Sequence, residues 1–85
     1  MDSWQRFQAK LDEHHQWPCE YVFKFIAPRA KLRELSSLFA EDQIKTKLSS
    51  NERFVSVTAK IEMKSSQEVL NIYQRASLIA DVISL

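Results

Sequence analysis

The residues that could act as nucleophiles, bases or metal ligands lie close together near the start of the chain. They are His14, His15 and Cys19. A cysteine nucleophile requires a base that a third group holds in position, and the sequence indicates no such group beside these three. Neighbouring helical residues point about 100° apart, so the two histidines are poorly placed to chelate one ion. We therefore expect no enzymatic activity, no metal and no cofactor.

The sequence contains no glycine. Loops that cradle phosphate depend on glycine, because their backbone N–H groups must approach the ligand closely. The absence of glycine therefore excludes a P-loop and a dinucleotide-binding fingerprint. Tight turns must instead be made by Asn, Asp, Ser or Pro.

Length and composition indicate one small globular domain. The chain has 85 residues, 45% of them hydrophobic, a formal net charge of +1 and a single cysteine. A nearly neutral chain is not typical of a dedicated nucleic-acid-binding or membrane-surface protein. No apolar stretch approaches the roughly 20 residues that span a bilayer, and the first residues do not resemble a signal peptide. We expect a cytoplasmic protein with no membrane partner.

The strongest structural pattern is the alternation of residues 53–63. One set of side chains is apolar: Val55, Val57, Ala59, Ile61 and Met63. The other set is mixed and mostly polar: Phe54, Ser56, Thr58, Lys60 and Glu62. A period of two with β-branched residues is typical of a half-buried strand. We predict a central strand with one face on the core and one face available to a partner.

A second strand is predicted at residues 20–26. Lys24 marks its outer face, so the three aromatic residues of the strand should point into the core. They are Tyr21, Phe23 and Phe25. This arrangement leaves Val22 and Ile26 on the same outer face as Lys24.

The two remaining strands are shorter or less regular. Residues 43–48 carry two outward lysines, which suit an edge strand. A polar connection leads from there to the central strand, and Asn51 is the residue we expect in the left-handed conformation. Residues 79–85 form the last strand, whose pattern does not decide whether Val82 or Ile83 faces inward.

Helical patterns occur three times. Residues 4–15 form the first predicted helix, with Asp2 and Ser3 as caps. The second begins near Pro28 and ends at Ala40-Glu41-Asp42, and the third opens with a capping box formed by Ser65 and Glu68. The apolar stripes of the three helices are, in order, Trp4, Phe7 and Leu11; Leu32, Leu35, Leu38 and Phe39; and Val69, Ile72, Tyr73 and Ala76.

The order helix, then β-α-β-β-α-β, indicates an α+β fold of the ferredoxin-like class. It places four antiparallel strands in one sheet with two helices on one face, after an additional N-terminal helix. We divide the chain into a helical extension at 1–16 and a ferredoxin-like domain at 17–85. The opposite face of the sheet, here called the open face, is the predicted interface. Its candidate residues are Val22, Ile26, Phe54, Ser56, Thr58 and Ile83.

The segment from residue 17 to residue 85 resembles the YbeD-like family of small uncharacterised bacterial proteins. Two stretches carry the resemblance. They are Trp17-Pro18 ahead of the aromatic strand, and Ser49-Ser50-Asn51-Glu52-Arg53-Phe54-Val55-Ser56-Val57-Thr58. The resemblance implies a ferredoxin-like fold similar to the ACT domains that sense small molecules, and it implies no activity. Glu52 stands where the family usually has a glycine. The turn Ala27-Pro28-Arg29 likewise lacks the glycine of ACT ligand sites.

The sequence predicts a non-enzymatic interaction or regulatory module. The open face is too apolar to stay wet as one patch, so a second copy of the chain could bury it in a homodimer. Alternatively, the N-terminal helix folds over the patch within one chain. A second hypothesis is a sensor of a small metabolite, by analogy with ACT domains. Single-stranded RNA is less favoured, because only Phe54 clearly places an aromatic ring on the open face.

Basic residues also cluster along the middle of the chain. They are Arg29, Lys31, Arg33, Lys45 and Lys47. Acidic residues are interspersed with them, so we interpret this cluster as a mixed, solvated surface and not as an anion site.

Overall fold

The computed structural model describes residues 2–85, and its centre is the pairing of two long strands. β1 (Cys19–Pro28) and β3 (Phe54–Met63) run antiparallel and pair along their whole lengths. β2 (Ile44–Leu48) lies beside β3, and β4 (Ile83–Ser84) lies beside β1. The resulting order is β2-β3-β1-β4. The prediction that the two longest apolar patterns form the central strands is confirmed.

Three α-helices accompany this sheet. α1 spans Ser3–His14, α2 spans Leu32–Ser36 and α3 spans Ser66–Ser77. Short 3-10 turns at Arg29–Lys31 and Glu41–Gln43 lead into α2 and β2. Together with the strand order, this is the predicted ferredoxin-like α+β fold with an additional N-terminal helix. Within the part of the chain that the structure describes, no helix is long and apolar enough to cross a membrane.

The core lies between the sheet and the helices. Phe23 and Phe25 of β1 are almost completely buried, as are Val55 and Val57 of β3. The ring of Tyr73 in α3 lies 5.3 Å from that of Phe23 and 5.8 Å from that of Phe25, measured between centroids. Such aromatic contacts add to the burial of apolar area. The predicted facing of both central strands is therefore confirmed.

α1 belongs to the same core. Leu11 is only 5% exposed, and the ring of Phe7 meets that of Tyr73 edge-on at 5.3 Å. Gln8 Nε2 also donates to Ser66 Oγ at 3.3 Å, which links α1 to the start of α3. Since these contacts lie on the helical side of the sheet, α1 does not cover the open face, and that alternative is wrong.

The second helix is shorter than its pattern predicts. α2 ends at Ser36, and residues 37–39 follow as turns. Ser37 Oγ donates to the carbonyl oxygen of Glu34 at 2.6 Å. A serine side chain that bonds locally in this way competes with helical hydrogen bonding, which accounts for the early end. The predicted apolar stripe still packs on the core: Leu32, Leu35, Leu38 and Phe39.

The hairpin before β3 places the left-handed conformation at a different residue from the one predicted. Glu52 has φ 59°, so the prediction of Asn51 is wrong. Asn51 Oδ1 instead accepts hydrogen bonds from Ser49 Oγ at 2.8 Å and from the Arg53 backbone N–H at 3.1 Å. These two bonds form an Asx-type turn around Asn51, and the chain then reverses at the next residue.

The last strand is shorter than residues 79–85. Ile83 and Ser84 pair with β1, and the Leu85 N–H donates to the Lys24 carbonyl oxygen at 2.9 Å. Val82 packs against the core, whereas Ile83 is 60% exposed. The facing that the sequence left open is therefore settled, with Val82 inward and Ile83 on the open face.

Candidate functional site

The open face is the first candidate site, and all six predicted interface residues lie on it. Their positions follow from the strand register, since side chains alternate between the two faces of a sheet. Ordered from β2 to β4, the residues of this face include Lys45 and Lys47; Phe54, Ser56, Thr58 and Lys60; Val22, Lys24 and Ile26; and Ile83. The prediction that β1 and β3 together present these side chains on one surface is consistent with the register.

Lys24 interrupts the row of apolar side chains that β1 presents on this face. Val22, Phe54 and Ile83 are 44%, 46% and 60% exposed, and Ile26 is half-buried. Lys24 lies between Val22 and Ile26 along β1 and separates them. Ile26 pairs with Ile83 and is diagonal to Phe54. We call these last three residues, Ile26, Phe54 and Ile83, the apolar corner.

Four lysines lie on the same face as the apolar corner, Lys24 and Lys47 next to it and Lys45 and Lys60 farther along the strands. Sequence reasoning did not identify the four as a group. Thr58 of β3 pairs with Lys45 on one side and Lys24 on the other. Lys47 lies opposite Ser56, and Lys60 lies opposite Val22. A shallow depression of about 260 Å³ lies among five residues of this surface: Lys24, Lys45, Lys47, Ser56 and Thr58. We call Lys24, Lys45, Lys47 and Lys60 the lysine group.

The lysine group has no ion pair within residues 2–85. The ion pairs in that range join Arg29 to Glu52 at 3.6 Å and Lys31 to Glu34 at 3.7 Å. The basic cluster inferred from the sequence is thus divided. Arg29 and Lys31 have carboxylate partners, as in a mixed surface, whereas the two β2 lysines join the unpaired group on the open face.

A second candidate is a cleft of about 550 Å³ on the helical side of the sheet. It opens between the beginning of α1, the end of α3 and β4. None of the described residues that line it has a charged side chain. The larger residues of its wall are Trp4, Phe7, Tyr21, Phe25, Tyr73 and Val82. Concave, mostly apolar surfaces of this size are typical of small-molecule sites.

Two tyrosine hydroxyls provide the main polar feature of this cleft. The oxygen atoms of Tyr21 and Tyr73 lie 3.2 Å apart. Burial raises the pKa of Tyr73, and the hydrogen bond with Tyr21 raises it further, so the Tyr73 hydroxyl keeps its proton at physiological pH. The pair carries two hydroxyl protons and makes one mutual bond. One O–H therefore has no acceptor among the described residues and is available to a ligand.

Two of the three residues that could act as nucleophile, base or metal ligand, His15 and Cys19, lie near each other. Cys19 Sγ lies 3.8 Å from His15 Nδ1, and the His15 ring lies between those of Trp17 and Tyr21, at 5.4 and 5.5 Å. Asp12 accepts a hydrogen bond from Trp17 Nε1 at 2.9 Å. No third group is seen to orient the histidine among the described residues, so the pair lacks the arrangement of an activated nucleophile. Residues 2–85 also contain no group of three potential metal ligands.

Comparison with known proteins identifies the family. A search of curated proteins and a search of solved structures each found no match. The profile of a family described as "Protein of unknown function (DUF493)" matches residues 12–84. This range contains all four strands, α2, α3 and both stretches that carry the resemblance to the YbeD-like family. The chain therefore belongs to the DUF493 family, which is the YbeD family, and the resemblance seen in its sequence is confirmed.

Proposed function

We propose that this protein is a non-enzymatic interaction or regulatory module that binds another protein through the open face. The observation that carries the proposal is the position of α1. Because Leu11 and Phe7 dock α1 on the helical side, nothing among the described residues covers the apolar corner. A cytoplasmic location is part of the proposal.

The open face is well suited to binding because it is rigid. Its residues come mainly from β1 and β3, which pair along ten residues each. A preformed surface loses little conformational entropy on association. Burial of the exposed parts of Phe54 and Ile83 contributes about 25 cal/mol for each Å² of apolar area removed from water. These terms favour a contact centred on the apolar corner.

A second copy of the chain is one occupant of the open face. A two-fold contact across the whole face would bring the two lysine groups together, and like charges repel. A homodimer must therefore centre on the apolar corner and leave the lysines at its edge. Light scattering at micromolar to submillimolar concentration measures the mass directly.

Two variants complete that experiment. If the wild-type protein is a dimer, Phe54→Asp should convert it to a monomer, because the contact would bury an unpaired carboxylate. Leu78→Asp is the matched control, since Leu78 is 86% exposed at the end of α3 and lies off the open face. A wild-type monomer removes the homodimer from the proposal. A dimer that survives Phe54→Asp contradicts the use of the open face for self-association.

The cleft supports a second candidate function, the sensing of a small molecule. Its uncharged wall favours a neutral ligand, because a charged group would lose its hydration without a counter-ion. The free tyrosine O–H favours a ligand with a hydrogen-bond acceptor such as a carbonyl oxygen. A thermal-shift screen with neutral metabolites tests this. Trp4 fluorescence should change in a Trp17→Phe variant when a ligand enters, and a screen without any stabilising compound would contradict the idea.

A further inference from the structure

We infer that the partner of the open face is an acidic protein segment in which two or three carboxylates adjoin aliphatic side chains. The inference rests on the proposed function for the position of the surface and adds the chemistry of the partner. The juxtaposition that carries it is the lysine group, which has no ion pair within residues 2–85, on the same face as the apolar corner, with Lys24 and Lys47 next to that corner.

The geometry of the lysine group suits an extended acidic segment. Alternate residues of a strand lie about 7 Å apart, and neighbouring strands lie about 4.8 Å apart. Lys45 and Lys47 are therefore separated by about 7 Å along β2, and Lys45 and Lys24 by about 10 Å across Thr58. In an extended segment, carboxylates on alternate residues also lie about 7 Å apart, so two of them can meet two lysines at once.

The hydroxyls between these lysines add to the same chemistry. Ser56 and Thr58 lie on β3 between the lysines of β2 and the residues of β1. Both side chains are half-buried, and the Ser56 hydroxyl donates to the carbonyl oxygen of Lys47 at 3.4 Å. The Thr58 hydroxyl has no hydrogen-bond partner among the described residues, so it can donate to a bound carboxylate.

Charge complementarity separates the acidic segment from the other occupants. A second copy would present lysines to lysines, which is unfavourable over the whole face. A long nucleic acid strand would meet Glu20 and Glu62, which pair across β1 and β3 at the far end of the same face. Stacking of successive bases also needs several exposed aromatic rings, whereas the described residues of the open face include one such ring, that of Phe54. An acidic segment with an aliphatic end matches both the lysine group and the apolar corner.

The test measures binding of a fluorescein-labelled peptide, Glu-Glu-Glu-Ser-Leu-Ile-Leu, by fluorescence anisotropy. We expect binding that weakens as the salt concentration rises, because exposed charges are screened. The double variant Lys24→Glu/Lys45→Glu should weaken binding at least about tenfold, since two attractive contacts become repulsive. The control Lys10→Glu/Arg33→Glu makes the same change in net charge on the helices and should alter affinity by less than about twofold.

Matched probes decide which chemistry is recognised. The peptides Lys-Lys-Lys-Ser-Leu-Ile-Leu and Glu-Glu-Glu-Ser-Ser-Asn-Ser should both bind more weakly than the first peptide. Absence of binding at low salt, or equal losses in the two double variants, overturns the inference. Tighter binding of a single-stranded oligothymidylate than of the peptide also overturns it, in favour of nucleic acid.

One further variant separates this inference from the proposed function. Ile26→Ser removes an apolar side chain from the apolar corner and leaves the lysine group intact. If Ile26→Ser weakens peptide binding but the lysine variant does not, the open face binds protein and its partner is not acidic. If the peptide binds and neither variant affects it, the contact lies elsewhere and both proposals fail.

Discussion

Replacement of Leu11 by alanine tests whether α1 is an integral part of the fold. Leu11 is 5% exposed and belongs to the same buried cluster as Phe23 and Val69. Burial of a leucine side chain is worth about 1.5–3 kcal/mol, and a residual cavity costs about 24 cal/mol per Å³ more. α1 packs on α3 and can shift as a unit, so it can settle into part of the space. We expect the free energy of unfolding to fall by about 2–3 kcal/mol.

Urea unfolding followed by circular dichroism measures this loss. For a small domain the free energy of unfolding falls by about 1–2 kcal/mol per M of urea, so the urea midpoint of the variant should be lower by about 1–3 M. Leu78→Ala is the control, because that side chain is 86% exposed and its removal should cost less than about 0.5 kcal/mol. If Leu11→Ala costs no more than the control, α1 is not docked in the core. α1 would then be free to cover the open face, and the proposal that this face binds a partner would lose its basis.

Three further predictions concern single side chains. Glu52→Gly should raise the free energy of unfolding, followed by thermal melting, by about 0.5–1 kcal/mol, because glycine adopts positive φ without strain and the ion pair lost with Arg29 is exposed. The control Glu52→Ala keeps the strained φ and should not raise it. Because the pKa of Tyr73 is raised in the folded state, the free energy of unfolding should be level below about pH 10 and fall above it. Tyr73→Phe should reduce that fall. If the variant and the wild type show the same dependence on pH, the hydroxyl is not buried as described. Ser65→Ala should cost about 1 kcal/mol in urea unfolding, since Ser65 Oγ caps α3 by accepting the Glu68 N–H, and a cost near zero would contradict this.

The sheet was predictable because its signal is local. Alternation along residues 53–63 and the position of Lys24 among aromatic residues are properties of short stretches, and burial follows directly from them. The same holds for the start of α3, where Ser65 caps the helix as predicted. Even there the match is incomplete, because Glu68 Oε2 accepts from the Lys64 N–H and not from the Ser65 N–H that a capping box would use.

Features that depend on contacts between distant residues were not predictable. The narrow stripe of α1 fits either face of the sheet, and the contact that decides, between Phe7 and Tyr73, joins residues far apart in the chain. The lysine group needs the strand order as well as the alternation, since its members come from β2, β3 and β1. The left-handed residue is a local feature that was still predicted wrongly, because propensity alone favours Asn51 whereas the hydrogen bonds of the hairpin place the positive φ at Glu52.

The open face is the proposed binding surface of this protein. Its most direct test follows the backbone amide resonances of the full chain by NMR while the peptide Glu-Glu-Glu-Ser-Leu-Ile-Leu is added. We predict that the largest shifts occur along β1 and β3, at Lys24, Ile26 and Thr58. Shifts concentrated instead around the cleft, at Trp4 and Val82, would contradict the use of the open face.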